Sequence, residues 1–170
     1  MRGPLNSFDV TGKLPQRHGA ASATLAPYQI FETADRPICI AAGNDRLFVK
    51  LARAMEHPHW CDDARFADGR ARAANREALV SVMQPVLTTR SRRDWLGIIG
   101  DAGVPVSPVN NIAELADSEQ FQAMDMLRTL PGSGLRVTGL PLSFDRQRPI
   151  PRGDSPKLGQ HNDEILGVRT

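Results

Sequence analysis

A chain of 170 residues with a formal net charge of +2, 41 % hydrophobic and 24 % charged, has the composition of one ordinary folded domain or of a small domain plus a tail. At this length folding buries roughly 70 % of the surface an extended chain exposes, so a core needs neither disulfides nor metal. Arg far outnumbers Lys, but the positive residues are interleaved with acids, as in Arg65-Phe66-Ala67-Asp68-Gly69-Arg70, which sets nucleic-acid binding aside.

Residues 1–26 hold Gly, Pro, Ser and Thr with little apolar periodicity and read as a connecting loop. Two short strands follow, over 28–33 and 38–42, joined by the turn Ala34-Asp35-Arg36-Pro37. Gly43-Asn44-Asp45 ends the second strand and caps a helix over 46–56 with Leu47, Phe48, Leu51, Ala54 and Met55 on its apolar face. His57-Pro58 stops that helix, and His57, Pro58, His59 and Trp60 make a linker to the next. A longer helix is expected over 71–87, bent in its last turn by Pro85.

Ser91 caps a further helix with Trp95, Ile98 and Ile99 inward, closed by the glycines at 100 and 103. The segment 104–109 is extended, since each Pro keeps its predecessor out of the helical region, and too Pro-rich for a central strand. Asn111 caps a short helix over 112–116, and another covers 119–124. Strands over 126–130 and 135–140 flank the turn Pro131-Gly132-Ser133-Gly134. Beyond Ser143 an Arg-, Pro- and Gly-containing loop leads to a helix start near 160–166 with acids in its first turn. The fold class is therefore α+β, with short antiparallel strands and several helices.

Cys39 and Cys61 lack a CxxC or Cys/His ligand spacing, so no metal and no disulfide framework is expected. No apolar stretch reaches the ~20 residues needed to cross a bilayer, so no membrane partner is expected. The default compartment is the cytosol.

Several motifs occur in a telling order: Thr11-Gly12, Pro15-Gln16-Arg17-His18-Gly19, Ala26-Pro27-Tyr28, Ala41-Ala42-Gly43-Asn44-Asp45 and Asp63-Ala64-Arg65-Phe66. Arg72 with Asn75-Arg76, Trp95, Ala102-Gly103-Val104-Pro105 and Leu158-Gly159-Gln160-His161 follow. Together they resemble the C-terminal part of the class III CoA-transferases, the family of formyl-CoA and carnitine-CoA transferases. That resemblance divides the chain into a linker over 1–26, a small α+β domain over 27–142 and a tail over 143–170 that returns to a Rossmann-like large domain. It implies a homodimer or a separate N-terminal subunit as partner, an acyl-CoA and a carboxylic acid as substrates, and no permanently bound cofactor, coenzyme A thioester being the substrate.

The reaction implied runs through an aspartyl mixed anhydride and an aspartyl-CoA thioester, and the resemblance places that aspartate in the large domain. No catalytic nucleophile is therefore expected in this chain. A carboxylate is a weak nucleophile, so the site must orient it and stabilise the developing oxyanion. By resemblance, His18, Gly19 and Ala20 lie in a substrate-side loop that is glycine-rich in formyl-CoA transferases and carries one glycine here. Asn44, after a strand end, either donates to a ligand or caps the helix that follows. Racemases of the same superfamily need a proton acceptor near that position; an amide cannot serve, and Asp45 is turned about 100° away. A non-catalytic dimerisation or acyl-binding module is the alternative from a different class.

Overall fold

Alternation in two short strands sets the first layer. A computed structural model of the chain describes residues 2–151 and 153–167. It divides into two compact units, Met1–Val109 and Asn110–Thr170, a boundary inside the 27–142 span expected as one domain.

In the first unit, β1 (Tyr28–Phe31) pairs antiparallel with β2 (Ile38–Ala41), which pairs antiparallel with β3 (Val106–Pro108). β2 is thus central, and its Ile38 and Ile40 are fully buried while Cys39 and Ala41 are half-buried on the other face. The Pro-rich segment joins the sheet only as an edge, where a missing N–H costs no ladder bond. The open edge of β1 is guarded by Gln84, whose side-chain amide donates to Glu32 C=O at 2.8 Å and accepts from Glu32 N–H at 3.2 Å.

Helices cover the inner face. α2 (Asp45–Ala54) contributes Phe48 and Leu51, α4 (Arg76–Leu87) contributes Leu79, Met83 and Leu87, and α5 (Arg92–Asp101) contributes Trp95 and Ile99. Each such side chain is worth roughly 1.5–3 kcal/mol when buried. Trp95 and Phe66 lie in this core as their spacing implies, and the Trp95 indole N–H reaches Leu87 C=O at 2.8 Å.

Three details depart from the sequence reading. The loop expected over 1–26 is corrected at its start, where α1 (Arg2–Thr11) is helical; Pro4 falls in the first turn, where a missing N–H is harmless. The helix expected over 71–87 is two helices, α3 (Gly69–Ala74) and α4, broken at Asn75. There the backbone leaves the helical region at φ −107° and ψ 32°, and the Asn75 side-chain amide joins its own N–H on Ala71 C=O, each at 2.9 Å. The linker after α2 contains a 3-10 turn, Pro58–Asp62, on which His57 stacks against Trp60 at 4.7 Å.

The second unit holds α6 (Ile112–Asp117), with a capping box between Asn111 and Glu114, and α7 (Glu119–Ala123). The hairpin β4 (Leu127–Thr129) and β5 (Arg136–Thr138) pairs Arg128 with Val137. A five-residue α8 (Asn162–Leu166) ends at Gly167 in the left-handed region.

The β1–β2 turn is clamped to the start of α5. Asp35 Oδ1 accepts the Arg92 N–H at 2.7 Å, the Thr33 hydroxyl at 2.9 Å and the Arg36 N–H at 2.9 Å. These donors, the Arg92 amide foremost, hold the Asp35 carboxyl below the usual carboxylate range. A depressed folded-state pKa means stabilisation present above the unfolded value and lost as pH falls through the folded one. Asp35→Ala is therefore expected to lower the melting temperature at pH 7 and to weaken its fall below about pH 4. A thermal series from pH 7 to pH 2.5 checks this; parallel curves for both proteins would show that the clamp carries no linkage.

Candidate functional site

The residues singled out by the sequence sit around the end of β2 and the loop that enters β1. Asn44 caps α2: its Oδ1 accepts the Leu47 N–H at 2.9 Å, with backbone φ −104° and ψ 162°. The capping role therefore occupies its oxygen, and the exposed side chain keeps its NH₂ as the group available to a ligand.

The loop over 12–27 has two parts of different character. Its tip, His18, Gly19 and Ala20, is exposed, with Gly19 in the left-handed region at φ +58° and a turn closed by Ala21 N–H to His18 C=O at 3.0 Å. A Cβ at Gly19 would meet nothing within 4 Å, so the tip stands in open space. The base is fixed. Ser22 N–H donates to Tyr28 C=O at 2.9 Å, and Ala42 N–H donates to Pro27 C=O at 2.8 Å. Leu25 packs so closely on Gly43 that a Cβ there would lie 2.8 Å from the Leu25 Cβ. The structure thus brings the loop base against the residue before Asn44.

Two arginines that the sequence marks only as part of a helix opening hold this junction together. Arg72 is fully buried; its Nε donates to Ala26 C=O at 3.0 Å, Nη1 to Phe66 C=O at 3.1 Å and Nη2 to Asp45 Oδ1 at 2.7 Å. Its guanidinium lies over the Phe48 ring, 4.5 Å from the centroid. Arg76 donates to Ser22 C=O, to Leu25 C=O at 3.0 Å and to Gln29 Oε1 at 3.3 Å. A long charged side chain rarely loses all exposure, so burial of Arg72 carried no warning in the sequence beyond the small Ala71, Ala73 and Ala74 beside it.

The outward side of α2 adds charge. A groove of about 520 Å³ is lined by Asp45, Arg46, Val49, Lys50 and Arg53, beginning one residue beyond Asn44. Of the other chemically suggestive residues, His57 is tied by Nδ1 to Met55 C=O at 2.6 Å, and His161 pairs with Glu164 at 3.3 Å on the exposed start of α8. Burial pushes the Cys61 thiol up, with Asp62 adding to the effect, so it is poorly disposed to act as a thiolate. Among the described residues no group of three or more His, Cys, Asp or Glu could hold a metal ion, and no helix is long and apolar enough to cross a membrane.

Comparison with known proteins covers almost the whole chain. The family model of CoA-transferase family III matches residues 3–162. Acetyl-CoA:oxalate CoA-transferase of Acetobacter aceti is 34 % identical over 157 residues, 92 % of this chain and 40 % of the relative. Succinyl-CoA:mesaconate CoA-transferase of Haloarcula marismortui is 32 % identical over 163 residues, 94 % of this chain and 40 % of the relative. A CAIB/BAIF family protein from Brucella suis superposes with a TM-score of 0.79 at 32 % identity, across 96 % of this chain and 43 % of that one. The chain thus spans about 40 % of the length of the relatives it matches.

Proposed function

Because this chain belongs to CoA-transferase family III, we propose that it forms the C-terminal portion of an enzyme moving CoA from an acyl-CoA to a carboxylic acid. The observation that supports the reading is the closure of the loop base, from which His18, Gly19 and Ala20 extend, on the strand end that leads into Asn44. In this reading the nucleophilic carboxylate comes from a large domain outside these residues. It attacks the thioester carbonyl and expels CoA thiolate; CoA then attacks the resulting anhydride, freeing the first acid. The second acid repeats both steps in reverse and leaves with CoA.

Each step places negative charge on a carbonyl oxygen, and the chain offers donors for it. The exposed amides around Gly19 carry no obstructing side chain there, His18 brings an imidazole, and Asn44 brings its free NH₂. Arg46, Lys50 and Arg53 add positive potential that favours anionic substrates. The acids named for the similar enzymes, oxalate and mesaconate, are dicarboxylates, and a small dicarboxylate is the acid this reading assigns.

This reading assigns the assembled enzyme to the cytosol, a compartment in which free thiols such as Cys39 and Cys61 stay reduced. Exposed Phe144, Ile150, Leu158 and Ile165 in the second unit suit association with the large domain or with a second chain.

The test is co-expression with a large-domain polypeptide bearing the nucleophile, assayed with acetyl-CoA and succinyl-CoA against oxalate, mesaconate and acetate. Turnover is expected from the pair and not from the 170-residue chain alone. His18→Ala is expected to lower kcat in the pair by roughly 10²-fold, the range for a lost polar catalytic contact. Transfer by the isolated chain would overturn the division of labour.

A further inference from the structure

We infer that Arg76 is the positioning residue of the substrate-side loop: its guanidinium ties the loop base to α4 and so fixes the point from which His18, Gly19 and Ala20 reach out. The inference rests on the loop reading above and adds a residue to it. Arg76 is the first residue of α4, a helix locked into the core by Leu79, Met83 and Leu87. From that fixed root one side chain binds both ends of a short arc, the carbonyls of Ser22 and Leu25, and also Gln29 of β1.

The bonds internal to the arc are weaker in kind. Ser22 Oγ accepts from Thr24 N–H at 3.4 Å and Leu25 N–H at 3.2 Å, both neutral and long. Charge-assisted bonds are roughly twice as strong as neutral ones. Arg76 is thus the restraint that spans both ends of the arc, beside the Ser22 N–H to Tyr28 C=O bond at its start and the Arg72 bond to Ala26 C=O just beyond its end. Among the described residues the bonds of 13–20 are local, Lys13 N–H to Thr11 Oγ1 at 3.2 Å and Ala21 N–H to His18 C=O at 3.0 Å. Order in the loop therefore changes at Ala21 and Ser22. The tip keeps its freedom, and its origin is set by a planar fork that an ammonium group cannot reproduce.

Hydrogen exchange on the 170-residue chain, with Arg76→Lys and Arg76→Gln beside the parent, tests this directly. Both variants are expected to exchange about tenfold faster in a peptide covering 20–27, with a peptide from the second half of α4 unchanged. Arg76→Lys retains the charge, so faster exchange in it assigns the effect to the fork rather than to net charge. Unaltered exchange over 20–27 in both variants, with the tryptophan emission of the folded parent, overturns the inference. In the reconstituted transferase, Arg76→Lys is expected to lower kcat while KM for the acyl-CoA stays within about twofold. If the arc loosens but neither Arg76→Lys nor His18→Ala alters turnover, the substrate-side reading of the loop is the part that fails, and Arg76 stands as the loop's anchor.

Discussion

Arg72→Met is expected to destabilise the first unit by about 4 kcal/mol, because two buried carbonyls lose their donor at roughly 1–3 kcal/mol each and the guanidinium leaves a partly filled space. The loss would take roughly a quarter to four fifths of the stability of a domain worth about 5–15 kcal/mol. Three segments meet on this side chain: the loop base at Ala26, the turn at Phe66 and the start of α2 at Asp45. Methionine fills much of the volume but gives the carbonyls of Ala26 and Phe66 nothing to bond.

The ion pair is the smaller part of the effect. Arg72 is fully buried while the Asp45 side chain is 64 % exposed, so Asp45 returns to water at little cost when its partner goes. Asp45→Asn keeps an acceptor oxygen for Nη2 and is expected to cost less, about 1–2 kcal/mol, with Arg72→Lys, which can keep one contact of three, falling between. Urea unfolding followed by tryptophan emission gives the order directly, since both tryptophans, Trp60 and Trp95, are buried in this unit. An Arg72→Met variant within 1 kcal/mol of the parent would remove the carbonyl argument, and an Asp45→Asn variant as damaging as Arg72→Met would hand it to the ion pair.

This side chain also shows where sequence reading stops. Elements fixed by local rules are legible: the hairpin of β1 and β2 from two short strand-forming runs and the Pro-containing turn between them, the Asn44, Ser91 and Asn111 caps from residue type, and the exclusion of 104–109 from a central strand by its prolines. The family was legible as well, because its short motifs lie at turns and caps where residue choice is narrow. The contacts that assemble the site are different in kind. Arg72 bonds Ala26 across 46 positions, and Arg76 bonds Ser22 across 54, both to backbone carbonyls. Any residue supplies a carbonyl, so no partner type in the sequence announces such a bond. The break at Asn75 escaped for a related reason, since a mid-helix Asn is tolerated unless its side chain turns back on its own backbone.

The second large effect is expected from the smallest change. At Gly43 an added Cβ would stand 2.8 Å from the Leu25 Cβ and 3.2 Å from its Cγ, closer than packed carbons tolerate. A Cβ cannot swing aside as a side-chain tip can, so one backbone must move. The β2 end is held by Ala42 N–H to Pro27 C=O and by the cap on α2, whereas Leu25 lies in a loop and is 41 % exposed. The loop should therefore yield, drawing the Leu25 carbonyl away from Arg76 and lifting the base beneath His18. Gly43→Ala is expected to cost about 1–3 kcal/mol, the usual range for overpacking, and to raise hydrogen exchange over 20–27. Leu25→Gly removes the opposing Cβ, so in that background Gly43→Ala should recover at least about 1 kcal/mol of its cost, a coupling typical of residues in contact. A double-mutant cycle by urea unfolding measures that term. If Gly43→Ala costs the same with and without the Leu25 side chain, the close approach of loop and strand end is not what ties His18 and Asn44 to one base.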